Sequence, residues 1–278
     1  MISKPASSHP SLQREAAEAL LAGLTELVLR AGAAILAVDR GHLAVEGKSD
    51  GSPVTAADLA ADRIIADGLA RLCPDLPVVS EERVALATPP YRGSFFLVDP
   101  LDGTKEFIAG RDEFTVNLAL VTDAVPLLGI VGAPALGLVW RGIVGAGAER
   151  LRVAPDMTVS EASPIRTRRF PAGCEWIAAV SRSHGDCRTE AFIDERPGAV
   201  RRCMGSAVKF CRVAEGVADI YPRLAPTCEW DIAAGHAVLS AAGGKVGDSA
   251  GRPIRFGLGA AGFIIPEFIA WGDPKAAA

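Results

Sequence analysis

Six consecutive residues, Asp99-Pro100-Leu101-Asp102-Gly103-Thr104, set two carboxylates three positions apart behind the apolar run Ser94-Phe95-Phe96-Leu97-Val98. Carboxylates where a buried strand opens into a loop, with proline fixing the backbone between them, can converge on hard cations that prefer oxygen ligands. The Leu101 carbonyl can join them. Gly103 lets the chain approach an anion closely, and the N–H groups that open a following helix would face a phosphate oxygen. The competing account is a turn with an Asp cap, because Asp-Gly is common in turns.

Three further acidic positions each carry two readings. Glu81 and Glu82 follow Val78-Val79-Ser80, so they form either a solvated acidic loop or a like-charged pair that favours a bridging cation. Asp231 stands just before Ile232-Ala233-Ala234-Gly235, as a helix N-cap or as a carboxylate aimed at a metal beside the positive end of that helix. Thr55-Ala56-Ala57-Asp58 has the form of a capping box. Its alternative is Asp58 hydrogen-bonded to the Thr104 hydroxyl, a pair that orients and deprotonates an attacking water.

The elements that must hold these groups follow from periodicity. Leu20, Leu24, Leu27 and Ala31 predict an amphipathic helix over about 12–38, and Thr55 begins a second that Pro74 stops. Strands are predicted at 77–80, at 94–98 ending at Asp99-Pro100, and at 115–121, 127–131 and 139–144. The polar stretch 155–169 has the composition of a connection between two subdomains, 11–158 and 159–272, with most metal ligands in the first and the last one in the second. Beyond it come a strand at 176–180, a helix at 206–215, a strand at 218–221, a helix at 232–242 and a terminal strand at 263–265.

Composition bounds the chemistry. A chain of 278 residues with 49% hydrophobic and 22% charged residues is expected to fold compactly. Its net charge of -4 supplies no basic field for a nucleic acid polymer, although Arg166, Arg168 and Arg169 form a local cluster. Six cysteines without CxxC spacing point to reduced thiols, the first residues lack an apolar signal region, and no uninterrupted apolar run is long enough for a transmembrane segment. The expectation is a cytoplasmic monomer or homodimer, with peripheral attachment at the inner membrane left open.

Taken together, DPLDGT at 99–104, Ser80-Glu81-Glu82, Thr55 to Asp58, and Glu229-Trp230-Asp231 before an Ala/Gly-rich helix resemble the inositol monophosphatase superfamily over nearly the whole chain. The resemblance implies an α/β, layered αβαβα sugar phosphatase fold with mixed and antiparallel sheets. It implies Mg²⁺, two or three ions, held by Glu81, Asp99, the Leu101 carbonyl, Asp102 and Asp231, with Asp58, Thr104 and Glu81 as catalytic groups and Li⁺ as an inhibitor. Within the superfamily, Val180-Ser181-Arg182-Ser183-His184, Gly205 to Phe210 and Ile220-Tyr221-Pro222-Arg223 resemble the 3′(2′),5′-bisphosphate nucleotidases. This branch implies hydrolysis of adenosine 3′(2′),5′-bisphosphate to AMP and phosphate, with Gly103, Thr104, His184, Ser206, Lys209, Arg223 and Asp231 around the substrate. A phosphate that is not cleaved needs cationic donors away from the metals, which Lys209 and Arg223 can provide. Taken singly, His184 in a loop, Ser206 as an N-cap and Arg223 as a surface cation are ordinary features.

Rival readings rest on less. Gly142-Ile143-Val144-Gly145-Ala146-Gly147 shares part of a dinucleotide fingerprint but lacks a clear βαβ unit, so a hairpin explains it better. His184 and Cys187 lack a third orienting group for thiol catalysis. An inositol or sugar monophosphatase on the same scaffold, and a metal-binding regulatory module without turnover, remain as alternatives.

Overall fold

The computed structural model describes residues 9–42, 46–47, 53–170, 175–182, 185–196, 198–259 and 262–277. Helix α1 (Arg14–Leu36) buries Ala17, Leu24, Leu27, Val28, Ala31 and Ile35, a stripe at helical spacing. Each such aliphatic side chain taken from water contributes about 1.5–3 kcal/mol if large and less if alanine. Among the described residues α1 is the one helix long and apolar enough to cross a membrane, yet its apolar stripe packs on the protein. A short ladder of β1 (Glu46–Gly47) and β2 (Pro53–Val54) leads to α2 (Ala56–Leu72). The Thr55 hydroxyl accepts from Ala57 N at 3.2 Å and Asp58 accepts from Thr55 N at 2.8 Å, so the expected capping box is formed.

Seven strands form the first sheet in sequence order: β3 (Val78–Ser80), β4 (Ser94–Asp102), β5 (Thr115–Thr122), β6 (Val125–Ala133), β7 (Leu138–Ile143), β8 (Gly147–Val153) and β9 (Val159–Ile165). All neighbours are antiparallel except β3 and β4. The five-residue helix α3 (Thr104–Ile108) joins β4 to β5. Strand β4 is buried on both faces: Phe95 and Leu97 pack toward the centre of the molecule, Phe96 and Val98 toward α1 and α2. Its register shifts near the end, where Asp99 lies opposite Asn117 and Asp102 opposite Thr115, so β4 carries one residue more than β5 there.

The second sheet holds β10 (Ile177–Ser181), β11 (Val200–Met204), β12 (Ile220–Arg223), β14 (Lys245–Gly247) and β16 (Phe268–Trp271), while β13 (Thr227–Cys228) and β15 (Ile264–Ile265) form a separate pair. The spatial order is β11-β10-β12-β16-β14, parallel among the first three and antiparallel beyond. Helices α5 (Val208–Ala214) and α6 (Glu229–Ala241) lie between the two sheets, and α4 (Cys187–Asp194) packs against β12. The layers therefore run α1/α2, first sheet, α5/α6, second sheet, α4, which is the αβαβα order expected. The small buried residues Ala233, Ala234, Gly235 and Ala237 let α6 fit between two sheets.

Several expected boundaries move. Strand β4 does not stop at Val98 but continues to Asp102, because Thr115 and Asn117 extend its ladder past Pro100. The stretch 155–169, expected as a connection, contains β9, whose burial is slight because it is the edge strand. The strand expected at 218–221 is Ile220–Arg223, and the terminal strand at 263–265 is only the two-residue β15, with β16 following it. Helix α6 starts at Glu229 rather than Ile232, so Asp231 is its third residue and not its N-cap.

Candidate active site

The bulged end of β4, the turn after β3, the β11–α5 turn, β12 and the start of α6 surround one pocket of about 490 Å³. Glu81, Asp99, Leu101, Asp102, Gly103, Thr104, Ser206, Lys209, Arg223 and Asp231 all line it. Asp58 lies behind this surface, only 1% exposed. His184 lies outside the described residues.

Asp58 makes both sets of contacts that the sequence left open, the cap and the hydrogen bond from Thr104. Its Oδ2 accepts from the Thr55 amide and, at 2.7 Å, from the Thr55 hydroxyl, while Oδ1 accepts from the Thr104 hydroxyl at 3.1 Å. The Thr104 hydroxyl also lies 3.2 Å from the Leu101 carbonyl. Gly103, with φ of 92°, fits because an added Cβ would stand 2.2 Å from Ser206 Oγ.

Asp102 Oδ2 is held by three donors: Ala207 N at 2.7 Å, Asn117 Nδ2 at 3.2 Å and the Thr115 hydroxyl at 3.3 Å. Asp99 Oδ1 accepts from Leu101 N at 3.1 Å. Asp231 Oδ2 accepts from the Thr227 hydroxyl and, at 3.1 Å, from Cys228 N. Glu81 begins a 3₁₀ turn whose preceding Ser80 hydroxyl donates to Asp62 at 2.6 Å, and Asp62 also pairs with Arg83 at 2.9 Å. Asp62 thus ties the Glu81 segment to α2 one helical turn beyond Asp58.

The acids raise one another's pKa. Burial first, then the charges of Glu81, Asp102, Asp231 and Asp58, push Asp99 well above the ordinary carboxylate range. Burial and Asp231 lift Asp102 to about 6 against the opposing pull of Lys209. Asp231 is raised by burial and by Glu81. Among the described residues no three His, Cys, Asp or Glu side chains converge, as they stand, tightly enough to hold an ion. The chemistry of the donor set nevertheless fits a hard dication: four carboxylates and a carbonyl share one pocket, and carboxylate and carbonyl oxygens are the ligands such an ion prefers.

The same pocket also carries cations, which make up its basic wall. Lys209 is 3% exposed, donates to the Ser206 carbonyl at 2.7 Å and lies 5.2 Å from the Tyr221 ring centroid. Burial first, opposed by Asp102, lowers its pKa to about 8. Arg223 Nη2 donates to the Pro226 carbonyl at 3.1 Å, and its Nε is buried without a hydrogen-bond partner. The Ser206 hydroxyl donates toward the carbonyls of Asp102 at 2.8 Å and Glu113 at 3.1 Å. Ser206 precedes α5, whose N-cap is Ala207, so the N-cap alternative for Ser206 is not what forms.

The supporting roles of Asp62, Arg83, Glu113, Thr115, Asn117 and Arg182 escaped the sequence reading. Asp62 is one helical turn from Asp58, and Thr115 and Asn117 share one strand face, so these three had a local signal in their spacing. Glu113 had none, and Arg182, quoted within Val180 to His184, gave no sign of its partner 69 residues away.

Residues 16–276 match the inositol monophosphatase family. The chain is 41% identical to the 3′(2′),5′-bisphosphate nucleotidase CysQ of Escherichia coli (strain K12) over 246 residues, covering 85% of this chain and 94% of that protein. The crystal structure of CysQ from Bacteroides thetaiotaomicron, described as a bacterial member of the inositol monophosphatase family, superposes with a TM-score of 0.76 at 32% identity, covering 91% of this chain and 97% of the other. An IMPase of Thermotoga maritima gives a TM-score of 0.72 at 26% identity, with 92% of both chains covered.

Proposed function

The chain belongs to the inositol monophosphatase family, and from that premise we propose how its residues divide the work of a 3′(2′),5′-bisphosphate nucleotidase that converts adenosine 3′(2′),5′-bisphosphate to AMP and phosphate. The observation that carries the reading is a single pocket lined by two sets of opposite charge, an acid wall of Glu81, Asp99, Asp102 and Asp231 and a basic wall of Lys209 and Arg223. A monophosphate needs only the first wall. A substrate with a second, uncleaved phosphate uses both.

Glu81, Asp99, the Leu101 carbonyl, Asp102 and Asp231 would hold two or three Mg²⁺ ions. Bound there, Mg²⁺ supplies the positive charge that neutralises the phosphate and eases ionisation of water. Thr104 donates its proton to Asp58, which leaves its oxygen lone pairs to accept a proton from a water and so orient it for in-line attack. Gly103 keeps the backbone open to the reacting phosphate.

Lys209 and Arg223 Nε hold the second phosphate by charge-assisted hydrogen bonds. Ser206 has given its proton to main-chain carbonyls, so it acts toward a ribose hydroxyl as an acceptor. His184 belongs to the nucleotide side of this proposal by sequence position alone. A cytoplasmic setting accords with the free thiols of Cys73, Cys187, Cys203, Cys211 and Cys228.

Phosphate release from adenosine 3′,5′-bisphosphate, measured with Mg²⁺ and after chelation, tests the reading. Turnover that appears only with Mg²⁺ is expected. No turnover at any Mg²⁺ concentration would leave a binding module without catalysis, and faster turnover of inositol 1-phosphate would make the chain an inositol monophosphatase.

A further inference from the structure

The turn Gly205-Ser206-Ala207 touches both walls of the pocket. Ala207 N donates to Asp102 Oδ2 at 2.7 Å, and the Ser206 carbonyl accepts from Lys209 Nζ at 2.7 Å. Ser206 occupies the left-handed region with φ of 49°, a conformation that a serine keeps only where its surroundings fix it.

Much of what fixes it is one residue, Glu113, in the segment before β5. The Glu113 carboxylate accepts from Gly205 N at 2.9 Å, and its carbonyl accepts from the Ser206 hydroxyl at 3.1 Å. The contact is close: a Cβ on Gly205 would stand 2.3 Å from the Glu113 carbonyl oxygen. Arg182, just past the end of β10, donates to the same Glu113 oxygen and, at 3.3 Å, to the Cys203 carbonyl. Neither Glu113 nor Arg182 lines the pocket. Their side chains are 26% and 33% exposed, and an ion pair so exposed adds little to global stability. Its effect is on geometry.

We propose that Glu113, oriented by Arg182, is a positioning residue that locks the Gly205–Ala207 turn and so sets Lys209 against Asp102 at the spacing a bisphosphate requires. The inference rests on the nucleotidase reading and names what determines its selectivity. Loosening the turn displaces the cation of one wall relative to an acid of the other, while Asp99, Glu81 and the Thr104–Asp58 pair stay in place.

The test compares Glu113→Ala, Glu113→Gln and Arg182→Ala with the wild-type enzyme on adenosine 3′,5′-bisphosphate and inositol 1-phosphate at saturating Mg²⁺. Glu113→Ala is expected to lower the ratio of kcat/KM for the bisphosphate over the monophosphate about tenfold, mostly through KM. Glu113→Gln should restore most of the ratio, since its amide oxygen can still accept from Gly205 N, and Arg182→Ala should lower it less. Amide exchange across residues 204–210 should quicken in Glu113→Ala at unchanged global stability. An unchanged ratio, or an equal loss of kcat on both substrates with a lowered Tm, would overturn the proposal. If the wild-type enzyme fails on the bisphosphate, the nucleotidase reading falls. The exchange measurement then decides the clamp separately, and exchange at 204–210 equal to wild type refutes it.

Discussion

Asp99 and Asp102 stand on β4, a strand paired on both sides inside a seven-stranded sheet, and each has an oxygen already held by a protein donor. Ser206 stands on a left-handed turn between an edge strand and a seven-residue helix, with Lys209 in the first turn of that helix, and the turn is secured by contacts to a segment about ninety residues earlier. Asp99 and Asp102 are fixed by the ladder that makes the fold, as Arg223 is by β12 between β10 and β16. Ser206 and, through it, Lys209 are fixed by a few hydrogen bonds outside the ladders. In the proposed nucleotidase this separates chemistry carried by Asp99 and Asp102 from a choice of substrate carried in part by a turn that small changes can move.

The comparison is most exposed at Asp99. Asp99→Asn is expected to lower kcat at least about a hundredfold, because one oxygen ligand at the reacting phosphate is lost. Thermal melts in chelator should move the other way. A carboxyl whose folded pKa is raised above its ordinary 3.8 stabilises fully below that value and loses the contribution as pH rises through the folded pKa. Metal-free wild type should therefore lose stability on that rise, and Asp99→Asn should lose less. A variant less stable than wild type across this range would mean the acid wall is not under charge strain.

Asp58→Asn comes next. Loss of the oxygen that receives Thr104 should lower kcat about a hundredfold with little change in KM. The damaged α2 cap should cost about 1 kcal/mol in a denaturant melt. An intact kcat would remove Asp58 and Thr104 from the chemistry.

Lys209→Ala and Arg223→Ala test the other wall. Each should raise KM for adenosine 3′,5′-bisphosphate about tenfold, as expected for a lost charge-assisted hydrogen bond, and affect inositol 1-phosphate far less. Equal effects on both substrates would erase the distinction between the walls. The smallest expected effect is in pH: burial lowers Lys209 to about 8, so its charge, and with it bisphosphate affinity, declines above that pH. KM should rise a few-fold there, and a profile unchanged in Lys209→Met would show that another group is responsible.

The acid wall was legible because its signals are local. Four apolar residues ahead of Asp99 announce a buried strand, and Thr55 with Asp58 announces a helix start. What sequence could not show was that Asp58 would cap with one oxygen and meet Thr104 with the other. The second half was less legible. Strand β11 reads Val-Arg-Arg-Cys-Met and is exposed along most of its length, so it lacks an apolar run, and β14 and β16 are only three and four residues long. Helix α6 begins three residues early because Glu229 and Trp230 are buried within its first turn, which its Ala/Gly periodicity does not reveal. The turn held by Glu113 lies in the quoted motif Gly205 to Phe210, but nothing in that motif points to a partner 92 residues earlier.

The extra residue near the end of β4 makes the odd spacing of Asp99 and Asp102 meaningful. Alternation along a strand is a rule of parity, under which positions 99 and 102 would point to opposite sides of the sheet. The bulge reverses the parity once, so that Leu101 joins Phe96 and Val98 in the α1/α2 core while both acids look into the pocket. Were β4 to run on with the same residues but without the bulge, one of the two carboxylates would turn into hydrocarbon. The irregularity of this motif is thus as strictly required as its composition.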